Sequence, residues 1–189
     1  MPYTPIDKKD QQTLLEIARE HIQVFLTTGR NLHIEETVFS KPLQQALGNY
    51  VRLILDKKTR GAVGNLQSHL PLITDVSQNA YDAAFEDPRF PPLTREEMKE
   101  TTIEITLLTP PEPIICNNEQ ELRKHICEGE DGLLLAEGVH SSHLLPSDWH
   151  HLPDVASFMA TLKKKAGLPT DYWSDNLTVH RFSTLSFRE

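Results

Sequence analysis

Cysteine is scarce in this sequence: Cys116 and Cys127 are the only two among 189 residues. They form no C-x-x-C pair, and two thiolates cannot close a structural zinc site unaided. An iron–sulfur ligand set is equally missing. No run approaches 18 apolar residues, so no membrane-spanning helix is expected. The N-terminus, Met1-Pro2-Tyr3-Thr4-Pro5, passes into charged residues without an apolar signal core, and the compartment expected is the cytoplasm, with both thiols reduced. Positive charge is in deficit. A formal charge of −8 and a pI near 5.6 disfavour non-specific binding to nucleic acid, because an acidic chain is repelled by phosphates. The densest basic run, Lys163-Lys164-Lys165, falls at the end of a predicted helix, where cations suit the dipole. Phosphate loops, dinucleotide fingerprints, calcium loops and internal repeats are also absent. No cofactor is expected.

What is present is enough apolar material for a core. Hydrophobic residues make up 38% and charged residues 24%, which fits one domain over residues 1–189. Apolar spacing predicts a helix from Lys8 to Thr28, with Gly29 as its left-handed cap. A polar stretch leads to a β-type run, Tyr50 to Leu55, closed by a turn at Asp56-Lys57-Lys58. A second helix is expected over Asp75–Glu86, stopped by Asp87-Pro88. Thr94 and Glu97 form a capping box. A strand runs from Thr102 to Thr109, and Pro110-Pro111-Glu112-Pro113 ends it. A short helix capped by Asn118 and Glu121, a short strand at Leu133–Leu135, a strand end at Leu144-Leu145 and a helix over Asp154–Ala166 follow. One last strand, Leu177–Phe187, is anchored by Val179, Phe182, Leu185 and Phe187. Strands and helices alternate irregularly, which argues for an α+β fold with helices packed on a mixed or antiparallel sheet.

The segment Arg60-Gly61-Ala62-Val63-Gly64 draws attention on chemical grounds. Two glycines three residues apart permit unusual backbone angles and close approach of a ligand or a second backbone. Arg60 sets a planar, permanently charged donor fork beside them. The plainer alternative is a tight turn between strands. The wider context adds to this. The segment resembles the Leu-Arg-Gly-Cys-Ile-Gly signature of the AMMECR domain family, also called AmmeMemoRadiSam system protein A. Glu86-Asp87-Pro88-Arg89-Phe90-Pro91-Pro92-Leu93 is similar to that family's Asp-Pro-Arg-Phe-x-Pro-Leu stretch. Ile103 to Ile114, Asp131-Gly132-Leu133-Leu134-Leu135, Leu144-Leu145-Pro146 and Lys165-Ala166-Gly167-Leu168-Pro169 continue the likeness in order. It covers roughly residues 10–189 and is specific as a set.

The resemblance implies a fold of two unequal lobes, the larger holding both termini, with a cleft between them and the glycine signature near it. It implies association with Memo-like and radical-SAM proteins, and no established reaction. Two departures stand out. Ala62 replaces the family's cysteine, and a methyl group can neither attack nor ligate. Ser147 follows the Leu-Leu-Pro stretch where relatives usually carry glutamine.

The candidate site is therefore Arg60, Gly61, Ala62, Gly64 and Arg89, forming a lip that binds a small anionic ligand or a partner protein. Glu104 is the candidate base of an alternative, thiol-free enzyme in which Arg60 stabilises charge. A structural ion-pair network is the competing reading of Arg60, Arg89 and Glu104. His140, His143, His150 and His151 are weak metal candidates, because their spacing matches no regular ligand pattern and exposed loop histidines are commoner. Serines near those histidines lack a Gly-x-Ser-x-Gly elbow.

Overall fold

In the computed structural model, which describes residues 3–189, Asp7 accepts a hydrogen bond from the Asp10 amide and opens helix α1, Lys8–Thr28; Gly29, at φ 68°, closes it. The predicted boundaries hold because both caps are local chemistry. Two short 3-10 turns, Glu36–Val38 and Lys41–Gln44, occupy the polar stretch that follows. Strand β1, Asn49–Leu55, then pairs antiparallel with β2, Lys58–Asn65. The turn between them uses Asp56 and Lys57, both left-handed at φ 51° and 62°. Such twin left-handed residues match the twist of a two-residue hairpin, although neither is the usual glycine.

Helix α2 spans Leu72–Phe85 and α3 spans Arg95–Glu100, the latter entered through the Thr94–Glu97 capping box. α2 starts earlier than the sequence suggests, because Leu72, Ile73 and Val76 are all buried and draw its first turn into the core. β3, Thr102–Leu108, pairs antiparallel with β1. Ile103 and Ile105 face the core with Val51 and Leu53, beside Leu14, Ala18 and Ile22 of α1 and Val76 and Ala80 of α2. The sheet order is β2-β1-β3-β8, where β8 is Thr184–Arg188.

The chain divides into two compact units. One runs to Leu108 and includes Leu185–Glu189; the other is Thr109–Thr184. The second unit has its own antiparallel sheet, ordered β4-β7-β5-β6. Its strands are β4 (Glu112–Pro113), β5 (Gly132–Glu137), β6 (His140–Leu144) and β7 (Thr178–Phe182). Helix α4 is Glu119–Leu122, and α5, Val155–Lys165, packs on β5 and β6. The proline stretch that should only end β3 thus supplies an edge strand, the position where proline costs least. Trp149 stacks on Phe158 at 3.9 Å between ring centroids and donates its indole N–H to the Asp131 carbonyl. The single C-terminal strand expected over Leu177–Phe187 is two strands, β7 and β8, which join different sheets. Leu185 is accordingly exposed, while Phe182 is buried.

Lys163 departs from its expected role as a solvated helix-end cation. Its side chain is 1% exposed; its ammonium is paired with Glu119 and donates to the Thr170 carbonyl. Among the described residues, no helix is long and apolar enough to cross a membrane.

Candidate functional site

The signature segment is not the tight turn that the sequence left open. It lies within β2, an edge strand. Between Leu53, opposite Gly61, and Ile54, opposite Thr59, the register shifts and leaves Arg60 as an extra residue in a bulge. Bulges re-aim side chains, and this one sends Arg60 inward. Its Nε and Nη2 donate to the two carboxylate oxygens of Glu97 at 2.8 and 3.0 Å, and Nη2 also donates to the Pro91 carbonyl at 2.9 Å. Nη1 is buried without a hydrogen-bond partner. Arg60 holds the Glu97 carboxyl down to about 2, helped by the Thr94 donors of the capping box.

The glycines serve packing. Neither Gly61 nor Gly64 has a positive φ. A Cβ on Gly61 would lie 1.9 Å from the Ala83 carbonyl oxygen, so α2 reaches the sheet only because that position is bare. A Cβ on Gly64 would meet the Asn49 oxygen at 2.2 Å and the Tyr50 ring at 2.6 Å. Of the two occupants the sequence allows, ligand or backbone, protein takes the space in both places.

The second motif closes on the first. Asp87, nearly fully buried, accepts from the Ala62 amide at 2.9 Å, and Arg89 Nη2 donates to the Ala62 carbonyl at 3.0 Å. Asp87 and Arg89 are also paired with each other, at 2.7 Å. Together they satisfy both backbone groups of an edge-strand residue as a neighbouring strand would, which blunts the edge. The hydrogen bonds from Arg89 hold the Asp87 carboxyl far below the usual carboxylate range. Phe90 lies 5.8 Å from the Arg60 guanidinium and 5.5 Å from that of Arg89. The structure therefore joins Arg60, Ala62, Asp87, Arg89, Phe90 and Glu97 into one network, in which both guanidinium groups already have carboxylate partners.

Glu104 does not join it. Cross-strand partners share a face, and Arg52 is opposite both Ala62 and Glu104. Ala62, Arg52 and Glu104 thus form a row on the face turned away from Val51, Leu53 and the helices. Arg52 and Glu104 are ion-paired at 2.7 Å, with Arg52 46% exposed. A groove of about 590 Å³ adjoins this row, lined by Arg52, Ile54, Asp56, Lys57, Thr102 and Arg188 among others. The residue in the family's cysteine position is the part of the signature whose side chain emerges on this face.

The histidines are dispersed. His140 sits on β6 with Nδ1 2.9 Å from the Ala166 carbonyl; His143, three residues on, occupies the opposite face of that strand. His150 and His151 are exposed, at the end of a 3-10 turn. Among the described residues no three His, Cys, Asp or Glu side chains come together as a metal site. Both cysteines are free, and burial raises the Cys116 thiol.

Sequence reasoning missed Arg52, and gave Glu97 only its capping role. Arg52 could have been found from strand alternation, since it is the charged outward position between inward Val51 and Leu53. It also missed a buried pair joining α1 and α2. His21 Nδ1 lies 2.8 Å from Ser77 Oγ and 3.0 Å from the Ser77 carbonyl, with both residues 2% exposed. Burial pushes the imidazole below its ordinary value. No local signal marks that contact, and its burial removes the serine from reach of substrate.

Comparison with known proteins agrees with the motif reading. A protein from Methanothermobacter thermautotrophicus is 34% identical over 193 aligned positions, covering 100% of this chain and 99% of its own length. One from Thermococcus gammatolerans is 37% identical over 185 positions, covering 93% and 88%. The crystal structure of an uncharacterised Pyrococcus horikoshii protein superimposes with a TM-score of 0.80 at 32% identity, covering 97% of this chain and 93% of that one. The AMMECR1 family model matches residues 15–187. With that match spanning nearly its whole length, the chain belongs to the AMMECR1 family.

Proposed function

We propose that this chain is a non-catalytic binding protein that docks a partner on the outer face of its first sheet, along the row Ala62, Arg52 and Glu104. The partners are the Memo-like and radical-SAM proteins that the family resemblance implies. One observation supports this reading above others: the signature is committed to structure except at residue 62. Arg60 and Arg89 are held by Glu97 and Asp87, and the glycine positions are filled by backbone and by Tyr50. What remains outward is a methyl group beside a half-exposed guanidinium on a strand-built surface. Such a surface suits a protein interface, where arginine is enriched and often dominates affinity. A small anion at Arg60 would have to displace a bound carboxylate, and at Arg89 it would meet a guanidinium already paired with Asp87.

The thiol-free enzyme has less support. Glu104 has its carboxylate taken by Arg52, and Arg60 is buried two strands away. Affinity capture from the source cells tests the proposal. The wild-type chain should recover a Memo-like or radical-SAM protein, and Arg52→Glu should reduce recovery at least tenfold. Equal recovery by Arg52→Glu, or recovery of neither protein by wild type, overturns it.

A further inference from the structure

A groove of about 490 Å³ lies elsewhere on the first unit, between the C-terminal half of α1 and helix α3. Its walls bring together Gln23 and Thr27 from one helix and Arg95 and Lys99 from the other, with Leu26 and Met98 between. No acidic residue lines it, although the chain carries a formal charge of −8. Arg19 also contributes, but Glu189 neutralises it at 2.5 Å. The two remaining cations are four residues apart on a six-residue helix, so they share a face. Like charges in that relation repel.

Their existing contacts leave capacity. Arg95 donates Nε and Nη2 to the Leu26 carbonyl, at 3.0 and 2.7 Å, which caps a helix whose own last turn has no basic residue. That uses one edge of the guanidinium and leaves Nη1. Lys99 is exposed and has no ion-pair partner among the described residues. Thr27 Oγ donates to the Gln23 carbonyl, which leaves its oxygen as an acceptor and the Gln23 amide as a donor. Met98 is 4% exposed and Leu26 half-buried, so the floor is apolar.

We propose that this groove binds a small organic monoanion: a carboxylate on a short hydrocarbon body. The carboxylate lies between Arg95 Nη1 and the Lys99 ammonium, with the Gln23 amide as a further donor. The hydrocarbon lies on Leu26 and Met98. Two convergent cations over an apolar floor match such an amphiphile, because charge-assisted hydrogen bonds fix one end while burial of carbon holds the other. This site is independent of the row at Ala62, Arg52 and Glu104.

Hexanoate is a direct probe, with hexylammonium and inorganic phosphate as comparisons, followed by backbone amide shifts in a nitrogen-15 spectrum at low salt. Hexanoate should produce saturable shifts at Gln23, Thr27, Met98 and Lys99, and Lys99→Glu should weaken binding at least tenfold. Lys99 is exposed and caps nothing, so its reversal leaves the fold intact, which the rest of the spectrum verifies. Absence of saturable shifts, equal affinity in Lys99→Glu, binding of hexylammonium as tight as hexanoate, or phosphate binding without hexanoate would each overturn the proposal.

Discussion

Gly61→Ala is the sharpest test of how the signature segment works, because two arguments give it opposite signs. Gly61 has an ordinary strand φ, so alanine fits the backbone and reduces the freedom of the unfolded chain. That effect alone stabilises by about 0.4–1 kcal/mol. The structure supplies the opposing effect. The added Cβ would sit 1.9 Å from the Ala83 oxygen and 3.0 Å from its carbon. Relief requires α2 to retreat from β2 by more than an ångström, at a helix face where Ala80, Ala83 and Ala84 are all at most 2% exposed. Overpacking of a filled core costs about 1–3 kcal/mol, and the severity here points to the upper end. A net loss of about 2–3 kcal/mol lowers a urea midpoint by roughly 1–2 M at the slopes usual for small domains. Both tryptophans, Trp149 and Trp173, lie in the second unit, so their fluorescence follows the wrong part of the chain. Hydrogen exchange at the β1 and β3 amides reports on the right part. Gly29→Ala is the matched control, since its φ of 68° strains alanine while nothing lies within 4 Å of the new methyl. A Gly61→Ala protein as stable as wild type would refute the account of Gly61 as the seat of the Ala83 carbonyl.

Further outcomes follow from the same geometry. Glu97 has its folded pKa depressed from 4.5 to about 2, so the stability it contributes is present above pH 4.5 and is lost as pH falls toward 2. The stability difference between wild type and Glu97→Gln should shrink over that window in an acid titration followed by circular dichroism. His21 is also depressed below 6.5; its neutral form belongs to the fold, so stability should fall as pH drops below 6.5, and a His21→Gln variant should show a flatter slope between pH 7 and 5. Lys163→Ala leaves Glu119 with Arg123 as its one remaining cation among the described residues, frees the Thr170 carbonyl and empties a buried pocket; it should cost about 2 kcal/mol, read by tryptophan fluorescence during urea unfolding. Ala62→Cys should leave stability within about 0.5 kcal/mol of wild type and add a thiol titratable with an aromatic disulfide reagent under native conditions; a thiol protected until unfolding would remove residue 62 from the outer face.

Elements set by neighbours in sequence were legible. α1, the Thr94–Glu97 box and the alternation of β3 depend on caps and periodicity, and they appear where the residues put them. Features set by distant partners were not. Nothing around Arg60 announces Glu97, thirty-seven positions away, and a glycine's reason for being bare lies in whatever crosses it, here Ala83. The candidate site was legible as a set of positions, because both motifs do meet in space. Its chemistry was legible only as two competing readings, ligand lip or ion-pair network, since a free arginine and a clamped one have the same letter. The break at Ser183 was hidden for a similar reason: apolar residues continue across it, and only tertiary pairing separates β7 from β8.

That break has a consequence for biogenesis. β8 occupies an outside place beside β3, yet it is translated only after the entire Thr109–Thr184 unit. Until β8 is made, β3 is therefore a bare border, its amides and carbonyls open to any passing strand. Once β8 is in place, the residue after it acts as a latch: the Glu189 carboxylate receives the Ile103 amide and grips Arg19. A chain without Thr184–Arg188 would keep that border open to foreign strands.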